Sequence, residues 1–112
     1  MNNLGDPQKI NDLNSMYKQL YNAITECEKQ GMKLAKADRD YKIKRKLAML
    51  NRKAEGMAVG LIDKVTAGDT ADAKMEVDVE QTKYDMAQEN IRALKLEIQS
   101  LDAQIKREWG AL

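Results

Sequence analysis

Histidine and phenylalanine are both missing from these 112 residues. Without histidine there can be no Ser-His or Cys-His nucleophilic pair, no zinc-finger or metalloprotease motif built on histidine, and no helical Glu-x-x-His di-metal site. With no Phe, one Trp and four Tyr, the chain has few large side chains for a layered core. The single cysteine, Cys27, rules out an intrachain disulfide and fits a reducing compartment. It falls between Ile24 and Gly31 in an apolar repeat, where a thiol fills space. The longest apolar run, residues 57–62, is far too short to span a bilayer. Residues 1–7 lack a signal pattern, and Asn2 stands where N-myristoylation needs glycine. Gly56, Gly60 and Gly68 make no Walker or dinucleotide motif, and residues 69–80 lack the ligand alternation of an EF-hand. The expectation is a non-enzymatic protein of the cytoplasm with no catalytic residue, no cofactor, no metal and no membrane partner.

What is present is apolar periodicity. Ile10, Leu13, Tyr17, Leu20, Ile24, Cys27, Gly31 and Leu34 recur at alternating steps of three and four, and Val77, Glu80, Tyr84, Ala87, Ile91, Leu94, Ile98, Leu101 and Ile105 do so again. Such stripes each follow one side of a helix and call for a partner helix. Asp6-Pro7 marks a helix start, with Asp as N-cap and Pro at the first helical position. Gly56 follows the basic pair Arg52 and Lys53, as a helix end does. The fold class is therefore all-α: a long antiparallel helical hairpin, a coiled coil, in one domain over 1–112. Its helices are expected over 6–55 and 70–109, with a short connector helix over 57–67 and residues 1–5 as a disordered lead. Asp69 or Thr70 is expected to cap the last helix. Treating 56–69 as the turn sets a register: Leu20 opposite Ile105, Ile24 opposite Leu101, Cys27 opposite Ile98, Tyr41 opposite Tyr84 and Arg45 opposite Glu80. Two helices bury little apolar surface, so self-association is expected.

Charge is divided between the arms. Residues 1–56 hold 12 basic and 7 acidic side chains, residues 57–112 hold 7 and 11. Ten of the basic residues lie within 29–53, Lys42, Lys44 and Lys46 among them, which suggests a phosphate-binding stripe. The facing segment, 63–89, carries eight acids, so pairing within the hairpin is the favoured reading and nucleic-acid contact the alternative. A second set of apolar residues lies off the seam. Ile43, Leu47 and Leu50 occupy the far side of the first helix, and Met75, Val79, Met86 and Leu96 that of the last, with Met57 near the turn. An uncovered apolar patch of this kind marks a protein interface, and Met suits an adaptable one. The connector, through Val59, Leu61, Ile62 and Val65, is expected to cover part of it.

Four segments within residues 41–101 carry a resemblance: Ala54-Glu55-Gly56-Met57, the piece 59–64, Ala67-Gly68-Asp69, and Asn90-Ile91-Arg92-Ala93-Leu94-Lys95. They resemble small helical proteins encoded by phages and prophages of Gram-positive bacteria. The resemblance implies an early-region phage protein working in the host cytoplasm beside replication and recombination functions, or one that takes over a host factor or inhibits a defence system. It assigns no activity to particular residues. The WxG-motif secretion substrates, another helical-hairpin group, fit badly, because Trp109-Gly110 lies at the C-terminus and not in the turn.

Overall fold

The computed structural model describes residues 5–110 and holds three helices with no strand among them. α1 is Pro7–Ala54, α2 is Val59–Asp69 and α3 is Ala71–Trp109. The fold is an all-α helical hairpin. No described helix is long and apolar enough to cross a membrane.

Local chemistry explains the ends. The Asp6 carboxylate accepts the Gln8 amide at 2.9 Å, and the Asp6 carbonyl accepts the Lys9 amide at 3.1 Å, so Asp6 caps α1 as the sequence suggests. At the other end Gly56 adopts φ +82°, a conformation that L side chains resist. Its amide donates to the Lys53 carbonyl and the Met57 amide to the Arg52 carbonyl, the two bonds of a Schellman stop. The chain reverses over residues 55–58.

No second turn follows. Gly68 lies inside α2, without positive φ. Only Thr70 leaves helical geometry, at φ −113° and ψ 14°. Helical bonding continues through it, since the Thr70 amide donates to Thr66 and the Lys74 amide to Thr70. α2 is thus the short helical segment expected at the turn, lying over Val59–Asp69 where 57–67 was expected and continuing into α3 through Thr70. Neither expected cap of α3 works as one. The Asp69 carboxylate is held by Arg52, and the Thr70 hydroxyl donates backward to the Thr66 carbonyl at 2.8 Å.

This moves the register. Tyr84 lies over Gly31, ten residues before its expected partner Tyr41, a displacement of about 15 Å along α1 at the helical rise. Gln30 donates to both the backbone and the carboxylate of Glu80, whereas Arg45 turns to the Tyr41 hydroxyl on its own helix at 3.1 Å. The cause is the location of the reversal. A turn region spanning 56–69, connector helix included, centres the hairpin well beyond a tight turn at 55–58.

Contacts gather in two compact units. One contains α1 up to Glu28 with α3 from Met86, and the other spans Lys29–Asp85. In the first, Ala23, Cys27, Leu94, Ile98 and Ile105 are buried. The seam of α1 there runs through Ala23 and not Ile24, and Tyr17 lies half exposed. Small side chains on α1 complement the larger ones of α3, as close packing requires. Gly5 belongs to this unit and is buried: a Cβ on it would stand 1.9 Å from the Trp109 Nε1. The disordered lead expected over 1–5 therefore fails at Gly5; its other residues lie outside those described. The Lys9 ammonium pairs with Glu108, whose carboxyl is thereby held below the usual carboxylate range. In the second unit Ala37, Ile62, Thr66, Thr70 and Val77 are buried.

Candidate protein interface

The unit over Lys29–Asp85 holds most of the residues singled out for function. Its reversal is clasped by Arg52, which donates to both carboxylate oxygens of Asp69 at 2.8 and 2.9 Å and also to Glu55 at 3.3 Å. A bidentate guanidinium–carboxylate fork fixes orientation as well as distance. The bond from Arg52 holds the Asp69 carboxyl below its ordinary value, and the same pair raises the guanidinium. Farther along, Gln30 keeps the Glu80 carboxyl low, with Lys83 and Lys33 adding to the effect. The Lys74 ammonium stands 5.7 Å from the centre of the Tyr41 ring, within cation–π range.

On each limb the side away from the seam is apolar. Ile43, Leu47 and Leu50 are all exposed, Leu47 at 56 %. Met75 and Val79 are exposed on α3, Met75 at 66 %. Met57, beside the Schellman stop, is half-buried. α2 does not cover these residues. It buries Ile62 and Thr66 and half-buries Val65, while Val59 and Leu61 remain exposed. In the other unit, Met86 and Leu96 are exposed to about the same degree as Met75.

The basic stretch is not one surface. Successive helical residues are about 100° apart, so Lys44 lies about 200° around α1 from both Lys42 and Lys46. The Lys42 ammonium pairs with Asp38 one turn away at 2.8 Å, which raises its pKa. Lys44, Lys46 and Lys53 have no ion pair among the described residues. Pairing within the hairpin is therefore partial. It neutralises Arg52 and part of the field at Lys33, and it leaves the lysines that border the exposed stripe of α1.

Two features had been hidden from sequence reading. Thr66 and Thr70 are both buried, Thr66 completely, yet polar residues four apart give no apolar signal. The Arg52–Asp69 clasp takes the carboxylate whose place in the sequence suits a helix cap.

No protein-family model, curated protein or solved structure matches this chain.

Proposed function

We propose that the protein is a non-catalytic interaction module that oligomerises and presents its turn-end unit to another protein. The observation that carries this reading is the exposure of two apolar stripes on a highly charged chain, Ile43, Leu47 and Leu50 on α1 and Met75 and Val79 on α3. Apolar side chains repeated along a helix face, and not scattered singly, are typical of surfaces covered by a partner. The resemblance of residues 41–101 to phage and prophage proteins supports a role accessory to phage DNA replication or recombination, or in blocking a host factor or defence system. Sedimentation of the wild-type chain at tens of micromolar tests the first part. Association is expected, and replacing Val79 and Met86 by Glu is expected to abolish it. A wild-type monomer at that concentration overturns the reading.

Nucleic-acid binding is the second reading, favoured by the absence of ion pairs at Lys44 and Lys46 among the described residues. The division of Lys42, Lys44 and Lys46 between two flanks counts against it. Replacing all three with Ala decides the matter: DNA binding at about 150 mM salt that disappears in this variant would place nucleic acid first.

A further inference from the structure

We infer that copies of this chain associate head to tail, the far side of α1 in one copy seating on the far side of α3 in the next. This rests on the self-association proposed above and names the surfaces that meet. The first ground is matching geometry. Ile43, Leu47 and Leu50 are spaced by four and then three residues, and so are Met75, Val79 and Thr82. Both sets lie on exposed faces of one compact unit.

The second ground is charge. The positions bordering a two-helix seam select its partner. Lys44 and Asn51 border the α1 stripe on one flank, Lys46 and Lys53 on the other. Glu76 and Lys83 border the α3 stripe on one flank, Asp78 and Asp85 on the other. Lys44, Lys46 and Lys53 have no ion pair among the described residues. Lys83 is already turned to Glu80 at 3.6 Å and Asp78 to Lys74 at 3.2 Å, so Glu76 and Asp85 are the bordering acids of α3 without an ion pair among the described residues. An α1 face meeting a second α1 face would set lysine against lysine, and two α3 faces would set acid against acid. Only the unlike pairing brings opposite charges together around an apolar stripe. A contact between two different patches leaves one of each unused on every pair, so growth continues until a ring closes or as an open stack.

Two variants test this. Leu47→Glu blocks the α1 face and Val79→Glu the α3 face, the like charges keeping the two blocked faces from meeting each other in a mixture. Both positions are exposed, and circular dichroism verifies that helix is retained. By sedimentation, each variant alone is expected to be monomeric where the wild type associates. Their equimolar mixture is expected to form a 1:1 dimer and stop, since one intact face of each kind remains. Self-association of either variant alone, or no dimer in the mixture while the wild type associates, overturns the head-to-tail arrangement. A monomeric wild type overturns the self-association beneath it. If either substitution lowers helix content, Leu50→Glu and Met75→Glu, also at exposed stripe positions, replace the pair, with the same outcomes decisive.

Discussion

Replacing threonine by valine is expected to have opposite effects at two neighbouring sites. Thr66 is 0 % exposed and its hydroxyl has no hydrogen-bond partner among the described residues. Thr70 is 5 % exposed, but its hydroxyl donates to the Thr66 carbonyl at 2.8 Å. Valine keeps the shape and β-branching of threonine and replaces the hydroxyl with a methyl. A buried hydroxyl left unbonded costs about 1–3 kcal/mol, whereas a buried hydrogen bond contributes about 1 kcal/mol net. Thr66→Val removes the first cost and should stabilise by about 1 kcal/mol. Thr70→Val removes the second contribution and should destabilise by a similar amount, because the Thr66 carbonyl keeps its bond from the Thr70 amide.

For a chain of this length, 1 kcal/mol corresponds to about 4 °C in midpoint. The assay is thermal and urea unfolding at one fixed protein concentration, since association would make the midpoint concentration-dependent. Thr66→Ser supplies the control. It keeps the hydroxyl and deletes the methyl, so it should destabilise by about 1 kcal/mol through lost burial. If Thr66→Val destabilises while Thr66→Ser is neutral, the Thr66 hydroxyl is bonded and the reasoning fails.

Gly5→Ala forces a Cβ against the Trp109 indole, and it should expose that sole tryptophan, seen as a red shift in fluorescence; an unchanged spectrum contradicts the packing. In a Cys27→Ser background, cysteines replacing Gln30 and Glu80 should join through a short bis-maleimide. Cysteines replacing Arg45 and Glu80 should not, because Arg45 is about 22 Å farther along α1 by helical rise; the reverse result would restore the displaced register. The folded-state carboxyls of Asp69, Glu80 and Glu108 are lowered by their partners. Their contribution is therefore present above the unfolded carboxylate range, near pH 4, and lost as pH falls through the folded values. Midpoints should be flat near neutrality and drop in acid, and Asp69→Asn should reduce that drop.

The hairpin was legible because its signals are local. Asp6 and Gly56 mark the ends of α1 through their own backbone bonds, and the step of three and four shows which side of each limb needs cover. Register was not legible, because it depends on where the chain turns. Gly68 looks like a second stop, yet glycine ends a helix only when it takes positive φ, and nothing in the residues around Gly68 requires that. Helical bonds running through Thr70 convert an expected loop into helix. Because Gly68 stays helical, every pairing lies away from its expected place, including the aromatic layer expected between Tyr41 and Tyr84. The coincidence of Arg45 with Glu80 in the expected register carried little weight, because in a chain one-third charged such matches arise readily.

The basic stretch shows why composition alone does not define a surface. Ten lysines and arginines within 29–53 read as one field, but a helix deals consecutive residues to different sides. Arg52 turns inward to clasp Asp69, Lys42 bonds along its own helix to Asp38, and Lys44, Lys46 and Lys53 border an apolar stripe. The acids of α3 are dealt out in the same way, with Glu80 turned to Gln30 and Asp78 and Asp85 bordering Met75 and Val79. In the head-to-tail arrangement proposed above, one opposition of charge between the arms serves two contacts, closing the hairpin through the inward residues and selecting a second copy through the outward ones. The sequence shows the opposition, and the division between the two contacts follows only from which residues the seam takes.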